Sequence, residues 1–157
     1  MHIQHDISLK PYNTFGIDVT AKHFVSVSNI SELKAVLSLA EFPDKLILGG
    51  GSNMLLTKDQ EKLVIHINLK GIDIISQDDD FVIVKANAGE NWHEFVLWCM
   101  KNNFGGIENL SLIPGNVGTS PIQNIGAYGI ELKDHFESCE ALNLETLKIE
   151  VFKNKDF

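Results

Sequence analysis

The stretch that most constrains this chain spans residues 113–129 and reads IPGNVGTSPIQNIGAYG. It holds four glycines and two prolines among small and polar side chains, and few of its residues can fill a core. Glycine permits positive φ angles and close approach of the backbone to a ligand, whereas proline stiffens the chain. This composition predicts either a backbone-lined binding loop or a tight structural loop between two strands.

Within this stretch, Ser120 and Pro121 indicate the start of a short helix. Ser120 suits the N-cap, Pro121 suits the first helical position, and Gln123 stands where a capping box needs it. Gly126 is then the expected stop. The first turn of such a helix presents free backbone N–H groups, and groups of this kind bind anions.

A second glycine-rich turn, residues 49–53, reads GGGSN and directly follows a short buried strand predicted at residues 45–48. Three consecutive glycines carry an entropic penalty that an ordinary turn does not require, so ligand contact is favoured over a flexible turn. The turn resembles a phosphate-binding nest. It matches neither the G-x-G-x-x-G fingerprint nor the Gly-Lys-Ser/Thr ending of a P-loop.

The charge of the chain limits its partners. The 157 residues carry a formal net charge of −8, which argues against nucleic acid. All 13 basic residues are lysines, so a bound diphosphate would be held by backbone amides, hydroxyls or lysine rather than by a guanidinium fork. No signal peptide and no membrane-spanning stretch is indicated, so a cytoplasmic protein is expected.

Motifs for catalysis or metal binding are missing from the sequence pattern. Cys99 and Cys139 have no metal or redox spacing, and there is no zinc pattern, no carboxylate pair at catalytic spacing and no Cys/His nucleophile. We therefore expect no metal site and assign no catalytic residue. Backbone-lined loops without acid–base groups point to a protein that holds a cofactor, with the cofactor supplying the chemistry.

The rest of the chain predicts a strand-rich frame with few helices. Residues 1–18 indicate an extended polar arm, in which residues 13–16 either reach a site or form a loop held by Phe15, the latter being favoured. Strands are predicted at 23–28, 45–48 and 63–67, and hairpins pair 71–75 with 81–86 and 136–143 with 147–153. One helix follows a cap at Ser28 or Asn29, with Glu32 placed for a capping box, and a second helix spans 90–103. The two glycine-rich turns, about sixty residues apart, are predicted to converge on one dinucleotide.

Five segments carry a family resemblance in order along the whole chain. They are residues 9–16 (LKPYNTFG), 46–53 (LILGGGSN), 89–92 (GENW), 108–115 (ENLSLIPG) and 118–129 (GTSPIQNIGAYG). With these segments the chain resembles the N-terminal half of the UDP-N-acetylenolpyruvoylglucosamine reductases, which are bacterial flavoenzymes of cell-wall peptidoglycan synthesis. The length of the last segment makes the resemblance specific.

The resemblance implies an α+β, two-lobed FAD-binding domain of the vanillyl-alcohol-oxidase and p-cresol-methylhydroxylase type. In that family NADPH reduces the flavin, and the reduced flavin passes hydride to the enolpyruvyl group of a UDP-sugar to give UDP-N-acetylmuramate. The implied organisation is an arm at 1–18 and an FAD-binding domain at 19–157, with lobes 19–70 and 71–157, the second incomplete. The C-terminal substrate domain, which carries the family's serine proton donor, lies outside this sequence, so the chain alone is expected to be inactive.

By family likeness, both glycine-rich turns contact FAD, with residues 13–16 beside them. Tyr128 is the nearest candidate for a flavin-facing side chain; a ring that supports the loop is equally compatible with the sequence. A stand-alone FAD or nucleotide-binding module without catalysis is the alternative function, and the oligomeric state is left open. The predicted cofactor-binding residues are Gly49, Gly50, Gly51, Ser52, Asn53, Met54, Pro114, Gly115, Gly118, Thr119, Ser120, Gln123, Asn124, Gly126, Ala127 and Tyr128.

Overall fold

A four-stranded sheet organises the first part of the chain. The structure is a computed structural model, and it describes residues 2–156. The strand order is β1-β2-β4-β3, where β1 is Gln4–Ser8, β2 is Thr20–Val27, β3 is Lys45–Leu48 and β4 is Gln60–Ile67. Strands β2, β4 and β3 are parallel, and β1 runs antiparallel to β2. Because β1 falls inside the predicted polar arm, part of that arm is an edge strand of the sheet.

Helix α1, Ile30–Leu37, follows β2 and covers one face of this sheet. The Glu32 N–H donates to the Asn29 side chain at 2.9 Å, and the Glu32 carboxylate accepts from Ser28, so the predicted capping signal is confirmed. Leu33 and Val36 face the sheet. The buried residues of this cluster are Val25, Val27, Leu33, Val36, Leu63, Ile65 and Leu69.

The N-terminal segment covers the opposite face of the sheet. Its buried cluster includes Leu9, Val19, Phe24, Leu48 and Val64. The Tyr12 ring centroid lies 4.8 Å from that of Phe24. Asn13 is buried, and its side chain closes the turn that follows. The amide nitrogen donates to the Leu9 carbonyl at 2.8 Å and to the Ile17 carbonyl at 2.9 Å, and the amide oxygen accepts the Ile17 N–H at 3.0 Å.

The later part of the chain contains two hairpins, as predicted. Strand β5, Ile72–Gln77, pairs with β6, Val82–Ala86, and β9, Ser138–Leu142, pairs with β10, Ile149–Lys153. An ion pair of 2.8 Å between Lys85 and Glu140 joins the two hairpins. The remaining strands, β7 (Gly126–Ala127) and β8 (Ile130–Glu131), form a two-residue ladder inside the glycine-rich region.

Helix α2, Trp92–Lys101, begins after Asn91, whose side chain accepts the Glu94 N–H at 3.1 Å. Trp92 and Val96 pack with Leu110 and Leu132 in a third buried cluster. Cys99 is also buried on this helix, and its burial raises the pKa of the thiol to about 11. The thiol therefore stays protonated and unreactive at neutral pH.

The distribution of the buried clusters bears on the predicted domain organisation. Two clusters draw on residues 3–69, with Leu142 packed against one of them, and the third lies within residues 92–136. The division into an arm and two lobes stays a prediction, although the mixture of helices and strands agrees with an α+β fold. Within residues 2–156 there is no helix with the length and apolar character to cross a membrane.

Candidate cofactor site

The two glycine-rich turns pack directly against each other. A Cβ atom added at Gly50 would lie 2.8 Å from Asn116 Oδ1 and 2.9 Å from Gly115 Cα, and one added at Gly115 would lie 2.6 Å from Ser52 Oγ. The contact of Gly50 with the Gly115 backbone excludes a side chain at Gly50, and Gly115 also has a φ of +118°, so both positions require glycine. The predicted convergence of the two turns is confirmed. We call this contact, between residues 49–52 and 115–119, the loop junction.

The N-terminal segment also reaches the loop junction. Gly51 has a φ of +59°, and a Cβ there would lie 2.1 Å from the Tyr12 carbonyl oxygen. The Thr14 N–H donates to the Gly51 carbonyl at 3.2 Å. Phe15, in contrast, is 63% exposed, so the expectation that Phe15 holds a structural loop is wrong. Residues 13–16 instead bring polar backbone to the first glycine-rich turn.

The second turn is fixed by backbone hydrogen bonds to the segment that enters α2. Three N–H groups donate across this contact: Trp92 to Gly115 at 3.0 Å, Val117 to Glu90 at 2.8 Å and Gly118 to Ala88 at 3.0 Å. A Cβ added at Gly118 would lie 2.5 Å from Ala88 Cβ, so this glycine also permits close packing. The loop junction is therefore built by the protein's own contacts.

Side chains of α2 hold the approach to the second turn. The buried Trp92 indole donates to the Leu110 carbonyl at 2.8 Å. The His93 Nδ1 lies 3.0 Å from the Ser111 hydroxyl and accepts the Leu112 N–H at 3.3 Å. These contacts anchor the chain just before residues 113–129.

Unpaired backbone amides line the loop junction. Within the part of the chain that the structure describes, the N–H groups of Gly50, Gly51, Ser52 and Asn53 donate to no protein acceptor, and neither do those of Gly115 and Asn116. Successive backbone amides that lack protein partners can form an anion-binding concavity. A diphosphate fits such a donor set without arginine.

The helix start predicted at Ser120 and Pro121 does not have the capping arrangement that the sequence predicts. Helix α3 is a single turn, Ser120–Gln123, and follows a 3-10 turn, Val117–Thr119. Ser120 is 4% exposed and its hydroxyl donates to the Val117 carbonyl at 2.7 Å, so the predicted N-cap role of Ser120 is wrong. The helix ends at Asn124, with a φ of +39°, rather than at Gly126.

This arrangement changes which groups are available to an anion. The N–H groups of Gly118, Thr119 and Ser120 are bonded to the carbonyls of Ala88, Asn116 and Val117. The Thr119 hydroxyl donates to the Asn116 carbonyl at 2.9 Å. The available donors are therefore those of residues 50–53 and 115–116, because the helix start uses its own amides internally.

Other predicted residues lie away from the loop junction. Residues 122–129, which we call the outer loop, include Ile122 at 84% exposure and Tyr128 at 90%. Tyr128 has a φ of +52°, and its exposed ring does not support the loop by packing. A shallow depression lined by Asn124, Gly126, Ala127, Glu131 and Asp134 includes none of residues 49–53. Cofactor contact by Gln123, Asn124, Gly126, Ala127 and Tyr128 stays a prediction.

Two further predicted residues flank the loop junction. The Met54 side chain is partly buried and packs against the sheet cluster that contains Phe24, so it serves the core. Pro114 is exposed. Asn116 lies inside the loop that the sequence assigns to the cofactor but was not singled out, although it stands between two glycines. Ala88 was missed, because its contact with Gly118 has no local signature.

Comparison with known proteins identifies the family. A family profile described as an FAD binding domain matches residues 21–147. The chain belongs to this FAD-binding family. The unpaired amides at the loop junction suit the diphosphate of that cofactor.

Two relatives with similar sequences share the same name. A UDP-N-acetylenolpyruvoylglucosamine reductase from Flavobacterium johnsoniae is 61% identical over 156 residues, and one from Pseudomonas putida is 47% identical over 151 residues. The alignments cover 99% and 95% of this chain but 46% and 44% of the relatives. The chain therefore spans about half the length of these relatives and corresponds to their N-terminal half, as the sequence resemblance implies.

A solved structure supports the fold. The crystal structure of UDP-N-acetylenolpyruvylglucosamine reductase from Thermus caldophilus matches with a TM-score of 0.77, covering 99% of this chain and 54% of that one. The sequence identity is 24%, so this match concerns the fold alone. Together with the family match, it confirms the predicted α+β FAD-binding fold.

Proposed function

We propose that this chain is the FAD-binding half of an NADPH-dependent oxidoreductase that reduces UDP-N-acetylglucosamine enolpyruvate to UDP-N-acetylmuramate for peptidoglycan synthesis. The observation that carries the cofactor assignment is the loop junction, where unpaired amides from two turns meet. The names of the relatives support the reaction.

Backbone groups are the principal contacts proposed for FAD. The N–H groups of residues 50–53 and 115–116 would hold the diphosphate, and the Ser52 hydroxyl, which faces Gly115, would add a donor. The bound flavin supplies hydride transfer. The protein's part is to fix the cofactor and to keep the amides in place, which the hydrogen bonds from residues 88–92 achieve.

The proposed reaction also needs a proton donor in addition to the cofactor. Hydride transfer to an enolpyruvyl double bond requires a proton donor at the neighbouring carbon, and we assign none of these residues to that role. The UDP-sugar is the proposed small-molecule partner, and the cytoplasm is the proposed location. We therefore propose that this chain alone binds FAD without turnover.

A binding experiment tests the cofactor assignment on this chain. FAD would be titrated into the protein and followed by the quenching of flavin fluorescence. We expect saturable binding that Gly50→Val weakens strongly, because a side chain at Gly50 would separate the two turns. Gly105→Val is the matched control, since Gly105 is exposed, does not have a positive φ, and would bring its Cβ near only the flexible end of the Glu108 side chain, at 3.0 Å. Equal affinity in both variants would remove the loop junction from the site.

A second experiment tests the reaction. In a protein that joins this chain to the second half found in the relatives, NADPH oxidation would be measured with and without the enolpyruvyl sugar. We expect the sugar to accelerate NADPH oxidation. FAD binding without this acceleration would leave the cofactor assignment in place and contradict the substrate.

A further inference from the structure

A histidine pair lies at the edge of the main sheet, away from the loop junction. His5 on β1 and His23 on β2 are directly opposite in the antiparallel register. Their Nδ1 atoms are 3.1 Å apart, and the ring planes are inclined by 81°. The His5 side chain is exposed, and the His23 ring packs 4.9 Å from the Phe42 ring. Neither histidine contributes to the proposed FAD site.

The separation of the two nitrogens matches the spacing of neighbouring ligands on a metal ion. With metal–nitrogen bonds of about 2.0–2.1 Å, two nitrogens at square or tetrahedral angles stand roughly 2.9–3.4 Å apart. The observed 3.1 Å falls inside that interval. The sheet register fixes the spacing, because both residues belong to paired strands whose side chains project on the same face.

We propose that His5 and His23 form a two-imidazole chelate for a late first-row divalent metal ion such as Ni²⁺, Cu²⁺ or Zn²⁺. Imidazole nitrogen suits these ions, whereas Mg²⁺ and Ca²⁺ prefer oxygen ligands. Within the described residues no group of three or more metal-ligating side chains occurs, so water completes the coordination.

The site has a defined protonation requirement. In the metal-free pair, one Nδ1–H donates to the other Nδ1, with the roles set by the tautomers. Metal binding needs both Nδ1 lone pairs, so each ring carries its proton on Nε2. The ion then clamps β1 to β2, and β1 leads into the segment that holds Gly51. Such a clamp stabilises the fold, because the paired histidines of the folded state bind the ion more tightly than the unfolded chain does.

The sequence expectation of no metal site does not foresee this pair. The two histidines are 18 residues apart and fit no ligand-spacing motif. Only the antiparallel register of β1 with β2 brings them together.

Calorimetric titration with NiCl₂ at pH 7.5 tests the proposal. Ni²⁺ is chosen because it is not reduced by cysteine thiols, and all proteins carry His2→Ala so that His2 does not compete. We expect one Ni²⁺ per chain and no heat from MgCl₂. His5→Ala should weaken Ni²⁺ binding by about 100-fold, since attachment through two linked groups exceeds single attachment by on the order of 10² or more. His135→Ala, which removes an exposed histidine elsewhere, should leave the affinity unchanged.

A thermal melt of the same proteins gives an independent readout. Ni²⁺ should raise the melting temperature of the parent and of His135→Ala, and it should not raise that of His5→Ala. His23→Ala should behave like His5→Ala; because His5 is exposed, His5→Ala keeps the test valid if loss of the His23–Phe42 contact prevents folding. Unchanged Ni²⁺ affinity in His5→Ala, or no saturable binding by the parent, would overturn the proposal.

Discussion

The loop junction and the outer loop are both rich in glycine, but they use glycine differently. At Gly50, Gly51, Gly115 and Gly118, an added Cβ would lie within 3.0 Å of another part of the protein, whereas at Gly129 it would meet nothing within 4 Å. The inner glycines are therefore required by packing between turns. Gly129 requires glycine through its φ of +81° alone.

Glycine therefore has two different structural roles in these two glycine-rich regions. At the loop junction, missing side chains let two turns touch, and their unpaired amides are then available to a ligand. In the outer loop, Ile125 and Ala127 pack against the cluster that contains Trp92, but the side chains of Ile122 and Tyr128 remain in solvent, so much of that segment is not fixed by packing. The loop junction, rather than the outer loop, is therefore the region whose binding geometry is formed by the protein alone.

The largest effect is expected for Gly51→Ala. The new Cβ would lie 2.1 Å from the Tyr12 carbonyl oxygen at a φ of +59°. Left-handed strain and overpacking together predict a loss of about 3–5 kcal/mol in the free energy of unfolding. Urea denaturation measures it. Gly129→Ala adds left-handed backbone strain without a steric clash, so it should lose only about 1–2 kcal/mol in the free energy of unfolding. Equal losses would show that backbone conformation, not packing, distinguishes the two regions.

A smaller loss is expected for Gly118→Ala, which inserts a methyl group against Ala88. The added Cβ would lie 2.5 Å from Ala88 Cβ and 3.0 Å from its carbonyl oxygen. We expect a loss of about 2–3 kcal/mol in unfolding free energy and weaker FAD binding. Adding Ala88→Gly should restore part of the loss, because the closest contact disappears. Strictly additive effects in this double-mutant cycle would contradict the contact.

Asn13→Ala tests the support beneath the first turn. Removing the buried amide leaves both backbone groups of Ile17 without this partner, and the Leu9 carbonyl keeps only the Tyr12 N–H. The expected loss in unfolding free energy is about 1–3 kcal/mol. Gln123→Ala, on the exposed outer loop, should change stability by no more than about 0.5 kcal/mol. A comparable loss for Gln123→Ala would mean that the outer loop is as firmly packed as the loop junction.

Local signals in the sequence predicted the elements whose causes are local. The short apolar run before three glycines predicts strand β3 at the residues observed. The start of α1 was recognised from Asn29 and Glu32, since capping is decided within four residues. The convergence of the glycine-rich turns followed from their shared composition and from the family resemblance.

Features that depend on distant contacts were missed. Strand β1 is mostly exposed, so it lacks the apolar alternation that marks a strand and depends on pairing with β2. The sequence predicts Ser120 as an N-cap, but its hydroxyl donates to the Val117 carbonyl because a 3-10 turn precedes the helix. Contacts of this kind depend on which segments meet in space, and a single sequence does not record that.

The smallest effect concerns pH. Burial lowers the pKa of His66 from its ordinary value of 6.5, with Lys70 adding to the shift. His66 packs 5.0 Å from the Tyr12 ring, beside the first turn, and its Nδ1 lies 3.0 Å from the Ser26 hydroxyl. The unfolded chain therefore takes up this proton first, so His66 lowers stability as the pH falls below 6.5, until the folded state is also protonated.

The stability contributed beside the outer loop should change over a different pH range. Hydrogen bonds from Lys133 and Asn124 to its neighbour Glu131 lower the pKa of that carboxyl from 4.5. The stability that the Glu131 carboxylate contributes is therefore lost only as the pH falls below 4.5. Urea midpoints measured from pH 7.5 to 3.5 test both groups. His66→Gln should flatten the decline just below pH 6.5, and Glu131→Gln should change only the acid end. If His66→Gln leaves the decline below pH 6.5 unchanged, protonation of His66 is not what weakens the packing beside the first turn.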